Sequence, residues 1–232
     1  MIHQQSISAY ISGLVVSVML LMIPSGASAQ SSKKKVKELL PDTTAFFNGF
    51  AVSVDLLGPG MVLLGGYGTY EGALRLNLKD RYFPIVEAGI GKADYEDKLM
   101  NNHYKTSAPF FRIGADFNLL KNKHDIYRLY AGARYGFTSF KFDLFHPAIK
   151  DPIWGNMVEY NARDVKCSYH WAEAVIGVDA SIIGPLHLGW SIRYKKRLAH
   201  KDGELDNSWY VPGYGISDSS GFGGTVNLIV DI

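Results

Sequence analysis

Cysteine is almost absent from this 232-residue chain: Cys167 stands alone, which excludes an intramolecular disulfide and a cysteine metal cluster. Neither sign of charge dominates, with 24 Lys and Arg against 22 Asp and Glu. The basic residues are scattered, so the footprint of a nucleic-acid binder is missing and no nucleic-acid partner is expected. Beyond residues 11–23 no run approaches the ~20 apolar residues of a membrane helix. No G-x-S-x-G elbow occurs, and the histidines lack the spacing of metal ligands. Neither cofactor nor metal is expected, and if the mature chain sits in a membrane it does so as strands.

What the chain has in plenty is alternation. Between His170 and Lys195, Ala172, Ala174, Ile176, Val178, Ala180 and Ile182 alternate with Glu173, Gly177, Asp179 and Ser181. After Gly184-Pro185 the pattern restarts, with Leu186, Leu188, Trp190, Ile192 and Tyr194 against Gly189, Ser191, Arg193 and Lys195. Successive side chains of a strand face opposite ways, so this is a hairpin with one apolar and one charged, Gly-rich face. Each arm meets the roughly 9–11 residues that cross a bilayer as a tilted strand.

The same pattern predicts eight strands, near residues 48–57, 67–78, 83–93, 108–120, 127–143, the two arms of the hairpin, and 221–232. Turns 2–3, 4–5 and 6–7 are short. Connections 3–4 (residues 94–107), 5–6 (144–166) and 7–8 (199–217) read as long loops, and Gly58-Pro59-Gly60 as the turn closing strand 1. An even strand count, short turns on one side and long loops on the other describe an outer-membrane barrel. The expectation is therefore an all-β fold, an eight-stranded antiparallel transmembrane β-barrel with short periplasmic turns and longer extracellular loops, in contact with outer-membrane lipid. Aromatic residues, 13% of the chain, cluster toward strand ends, as girdles at the membrane surfaces do.

Three segments follow. Residues 1–29 read as a signal peptide: an apolar core at 11–23, then Pro24-Ser25-Gly26 and the small-x-small site Ala27-Ser28-Ala29. Its first ten residues carry no Lys or Arg, a departure from the usual layout. Residues 30–46 form a polar periplasmic tail, and residues 47–232 the barrel.

The polar face separates this chain from a soluble sandwich, because it collects both signs of charge beside glycines. The inward set is Asp55, Glu71, Glu87, Asp116, Glu173, Asp179 and Asp231 with Arg75, Arg112, Arg134, Arg193 and Lys195. An eight-stranded barrel is just wide enough for side chains to fill it, and buried charges persist only when paired. A plugged, ion-paired lumen is expected, not a pore.

Trp154, Trp209, Tyr210 and Tyr214 in the long loops are the candidate contacts to a partner, an outer-membrane protein or surface lipoprotein. His103, His146 and His200 with Ser217, Ser219 and Ser220 fall near the outer rim. They leave open a lipid- or lipopolysaccharide-modifying enzyme, and a surface adhesin or receptor is the other alternative. The expected reading is non-enzymatic.

At RYFPIVEAGIGKADYED, HYKTSAPFFRIGADFN, DIYRLYAGARYGFTSFKFD, GPLHLGWSIRYKKRL and WYVPGYG the chain resembles a Bacteroidota family of small outer-membrane β-barrel proteins of unknown function. The resemblance covers about residues 48–232. It implies an outer-membrane location, no known catalysis and an association with the outer-membrane protein assembly machinery. It carries no catalytic residues over. The residues themselves, long aromatic loops over a filled lumen, point to a structural or accessory subunit of an outer-membrane protein complex that engages its partner through the extracellular loops, above all 144–166 and 199–217. Many outer-membrane strands end in Phe or Trp, whereas this chain ends in Ile232.

Overall fold

A computed structural model describes residues 45–97, 102–122, 127–150, 155, 157–201 and 208–232, with backbone alone at 97, 147–150 and 157–160. The segment read as a signal peptide, and the tail up to residue 44, lie outside the described residues. The described chain runs β1 (Phe47–Asp55), α1 (Leu57–Gly65), β2 (Tyr67–Leu78), β3 (Tyr82–Asp97), β4 (Asn102–Asn118), β5 (Tyr127–Lys150), β6 (Met157–Ile183), β7 (Leu186–Lys201), β8 (Tyr210–Val211), β9 (Gly215–Ile216) and β10 (Ser220–Asp231). All neighbours pair antiparallel, and β1 pairs with both β2 and β10, so eight strands close into a barrel in the order β1-β10-β7-β6-β5-β4-β3-β2.

The short turns are local chemistry. Between β6 and β7, Ile183 pairs with Leu186 across the two residues Gly184-Pro185, and Gly184 takes φ +54. A glycine at the first central position gives the backbone twist that strands of a tight hairpin require. Between β2 and β3, Lys79 and Asp80 both adopt positive φ. Asp80 is held there, since Asn48 Nδ2 and Asn77 Nδ2 each donate to its Oδ1 at 2.7 Å.

Three expectations about connections are corrected. Residues 58–60 are not a turn but the first turn of α1. Asp55 accepts hydrogen bonds from the N–H of Leu57 (3.1 Å) and Gly58 (2.8 Å), filling orphan donors of the helix start. Proline is tolerated that early because the N–H it lacks has no intrahelical acceptor.

Most of the expected loops 94–107 and 144–166 are strand. β3 and β4 pair out to Asp97↔Asn102, and β5 and β6 out to Lys150↔Met157. The alternation never stops in these segments; it changes sides. In β4 the large exposed apolar residues are Phe111 and Ile113, whereas Tyr104, Ala108 and Phe110 are buried inside. In β5 exposed Tyr135 and Phe137 give way to buried Phe140 and Phe142. The switch sits at one level across three strands, because Phe111 pairs with Phe137 and Phe137 with His170. Below it the barrel is polar inside and apolar outside. Above it the sheet is apolar inside, with Lys105, Ser139, Lys141, Asp143 and Lys166 exposed on the outer surface.

Candidate functional site

The lower lumen is built on Glu87 of β3. Inward positions follow the period of two, so Glu87 meets charged residues that every neighbouring strand turns to the axis. Arg112 from β4, Arg134 from β5 and Arg193 from β7 reach its carboxylate at 2.9, 3.0 and 2.7 Å. Arg112 also stands 2.8 Å from Glu71 and 3.0 Å from Glu173. Arg193 completes the ring at 3.3 Å from Glu173 and 3.6 Å from Glu71.

Toward the short-turn end, Arg134 Nη2 donates to Asp116 Oδ2 at 2.8 Å, and its Nη1 stands 2.8 Å from Oδ1 while donating to the Ala133 carbonyl. A charge-assisted bond of this kind is roughly twice as strong as a neutral one. Arg75 holds Asp179 at 2.8 Å, and Arg128 approaches the same carboxylate at 3.5 Å while lying over the Phe83 ring at 4.1 Å. The open spaces among these groups are about 20 and about 40 Å³, enough for single waters.

The remaining members of the inward set have other partners. Asp55 caps α1 and also accepts from Val226 N–H at 3.1 Å. Asp231 sits half exposed at the lower mouth, 3.1 Å from His187 Nε2. Lys195 donates to the carbonyls of Gly213 (3.1 Å) and Tyr214 (2.8 Å). Sequence reasoning missed Arg128, although its parity with Arg134 on β5 places it inside. It also missed Trp171, whose Nε1 donates to Glu173 at 2.6 Å.

Above this network, residues 208–219 fold back into the mouth as a plug. Tyr210, Val211 and Tyr214 are at most 4% exposed and pack against Phe110, Phe140, Phe142, Tyr169 and Trp171. Tyr210 and Tyr214, expected to reach outward to a partner, therefore face inward. An aromatic Gly/Pro-rich segment gains more by covering the open apolar end of the barrel than by standing in water. Trp209 is half buried, stacked on Tyr95 with centroids 4.8 Å apart. Trp154 lies outside the described residues.

The plug is tied to both layers. Tyr210 Oη donates to the Gly68 carbonyl and Tyr104 Oη to the Tyr210 carbonyl, both at 2.8 Å. Arg112 donates to the Gly213 carbonyl at 2.8 Å. Gly213, at φ +78, lies so close on the Phe110 ring that no side chain fits there. Burial pushes the Tyr104 and Tyr210 phenols above the usual tyrosine range.

The rim residues that left an enzyme open are spread over several strands. His103 binds Asp94 at 2.7 Å on the outer face of the β3–β4 hairpin; this hydrogen bond holds the Asp94 carboxyl below its ordinary value. His146 is on β5, paired with Tyr160, and His200 on β7 lies 5.6 Å from the Tyr169 ring. Tyr169 Oη shares a 2.7 Å hydrogen bond with Ser217 Oγ. Asp218 accepts from Ser219 N–H, and Ser220 opens β10. Among the described residues, no group of three His, Cys, Asp or Glu is placed to hold a metal.

A family model covering residues 10–231 matches this chain, and its description reads Domain of unknown function (DUF6048). The chain belongs to the DUF6048 family. No curated protein matches it. Among solved structures, this DUF6048 member is similar to Neisserial surface protein A, with TM-score 0.44, 11% identity, and coverage of 80% of this chain and 99% of that one. It is similar to a major outer membrane protein of Thermus thermophilus, with TM-score 0.44, 11% identity and coverage of 79% and 98%. A third similarity is to CarO2 of Acinetobacter baumannii, with TM-score 0.41, 13% identity and coverage of 81% and 99%.

Proposed function

We propose that this DUF6048 member is a non-enzymatic transmembrane barrel of the outer membrane. It serves as a structural or accessory subunit of a membrane protein complex, with the paired outer ends of β3–β6 as its contact surface. The observation that carries this reading is the change of polarity along single strands. A band of exposed Ile113, Phe111, Tyr135, Phe137 and Ile176 belongs against lipid, and the charged surface above it belongs in water.

β5 has 24 residues and β6 has 27, and crossing a bilayer takes about 11. The excess of β5 extends about 40 Å along the strand at roughly 3.3 Å per residue. A paired two-strand extension of that size, set on a barrel whose interior is closed by Glu87 and its arginines, suits binding rather than conduction. Membrane protein complexes, including the machinery that assembles outer-membrane proteins, are the partners to look for.

The test is a mild-detergent extraction of the outer membrane with a tag placed after Gln30, followed by identification of what is recovered. A variant in which a short Gly/Ser turn joins Phe142 to Val165, a register pair of β5 and β6, is extracted in parallel. A partner lost with the truncated hairpin, while the truncated protein keeps its heat-dependent gel mobility, supports the reading. Recovery of the full-length protein alone contradicts it. Lipid composition of a deletion strain addresses the enzymatic alternative, which predicts a changed lipid.

A further inference from the structure

The barrel wall has a gap. β10 pairs with β7 up to Ser220↔Lys196, but its pairing with β1 stops at Asn227↔Asp55. At Val226 the backbone groups face the β1 side, since Leu56 N–H donates to the Val226 carbonyl and Val226 N–H donates to Asp55. By the period of two, Gly224 and Phe222 turn their N–H and C=O the same way, where β1 has already given way to α1. β10 spans only 12 residues, about one bilayer crossing, so this edge lies at the depth of the outer half of the apolar band. Backbone left unpaired at that depth is tolerated only where it is buried in protein or lines a water-filled cavity.

A cavity is there, about 430 Å³, between α1, the plug and upper β10. Glycine makes the room: a Cβ at inward-facing Gly221 would meet nothing within 4 Å, and one at Gly223 would meet only the end of Lys195. The acids on its inner wall already have partners, Asp55 in three backbone N–H groups and Glu71 in Arg112 and Arg193. Asp218 is at the exposed outer rim. Lys195 contributes an ammonium whose hydrogen bonds go to carbonyls, with no carboxylate within ion-pair distance among the described residues. The outer side of the cavity is lined by Met61 of α1 and by Phe222, 80% exposed, and α1 further exposes Leu63 and Leu64 (83 and 79%).

We infer that this cavity binds an anionic amphiphile through the side of the barrel, the headgroup on Lys195 and a single acyl chain leaving between α1 and β10. A volume of this size is within the roughly 300–1,000 Å³ of small-molecule sites. A peptide strand added to the β10 edge would satisfy the same backbone groups, but the apolar border and the inward ammonium fit a lipid better.

The test uses the full chain in phosphatidylcholine nanodiscs with three nitroxide-labelled probes: stearic acid, its methyl ester, and lysophosphatidic acid. Electron paramagnetic resonance reads the immobilised fraction. Wild type should bind an anionic probe at least about tenfold better than the ester. G221F should fill the cavity and reduce immobilisation of the anionic probe to that of the ester. K195Q, which keeps donors for the two carbonyls, should remove the preference for charge. Heat-dependent gel mobility of each variant reports the closed barrel. Preference for stearic acid identifies a free carboxylate as the ligand, preference for lysophosphatidic acid a phospholipid headgroup. Equal binding of acid and ester by wild type, unchanged binding in G221F, or a peptide recovered in the cavity instead of lipid overturns the inference.

Discussion

Two layers of one sheet obey opposite rules. Around Glu87 the barrel buries charge and exposes Ile113 and Ile176; around Tyr169 it buries aromatic rings and exposes Lys141 and Asp143. The same strands β4, β5 and β6 serve both layers, so secondary structure does not distinguish them. On the proposed reading the surroundings do. With lipid outside, polar groups would have only the lumen and must pair there. Where water is outside, the ordinary hydrophobic effect orders the inside. Arg112 stands at the join, over the Phe110 ring at 4.7 Å and bonded to both Glu87 and the plug.

The largest effect is expected from Glu87→Ala. It leaves three buried guanidinium groups short of a carboxylate, and breaking a buried pair costs about 3–5 kcal/mol, read as a lower urea midpoint in detergent. Replacing Arg75 and Asp179 together by Met and Leu should be far milder, since apolar substitutes for a whole buried pair are often neutral. Phe142→Ala in the upper layer should cost about 3 kcal/mol by cavity formation and loosen the plug. The lower barrel should survive it, read as an unchanged shift in gel mobility between boiled and unboiled samples.

On the outer surface, Ile113→Arg should cost about 2–4 kcal/mol if that face meets the bilayer core. Ser139→Arg, above the switch, should stay within about 0.5 kcal/mol. Similar destabilisation by both would erase the comparison.

Alkali should also separate the layers. Burial raises the Tyr104 and Tyr210 phenols in the folded state, so from about pH 10 upward the unfolded chain releases protons that the folded chain keeps. Their contribution is complete below that pH and is lost progressively as pH rises from there through the raised folded values. The plug layer should therefore weaken first in alkali, with tyrosinate absorbance lagging behind that of exposed tyrosines. A smaller effect lies outside the barrel. Asp94, held low by His103 and largely exposed, gives the β3–β4 hairpin a slight stability above the ordinary carboxylate range that fades in acid.

The sequence made the barrel legible because its lower part follows one rule: apolar residues outward at every second position, and charge with glycine inward. That rule places Glu87, Arg112, Arg134, Asp116 and Arg193 on one face before any pairing is known. It does not tell which acid meets which base, because register depends on turns and on distant strands. The outer half escaped for a definable reason. Phe110 and Phe111 are adjacent apolar residues of opposite parity, and the run that follows upward, Ala108, Thr106 and Tyr104, alternates correctly for the other face. Read with a single face in mind, it looks like the end of a strand; read for a change of face, it marks a surface. The plug was hidden differently. Tyr210 and Tyr214 carry the composition of an exposed recognition loop, and only the open aromatic mouth supplied by Phe110, Phe140 and Trp171 explains their burial. α1 was obscured by Gly58-Pro59-Gly60, a turn signal that the Asp55 carboxylate converts into a helix start.

The most direct test of the two-layer account is a spin-label scan of the outward residues of β5, at 129, 131, 133, 135, 137, 139, 141 and 143, in a Cys167→Ser background. Collisions with oxygen and with a water-soluble nickel chelate are compared in a phosphatidylcholine bilayer. Oxygen should dominate through Phe137, and the nickel chelate from Ser139 onward. Dominance of the nickel chelate at every position, or of oxygen as far as Asp143, would contradict it.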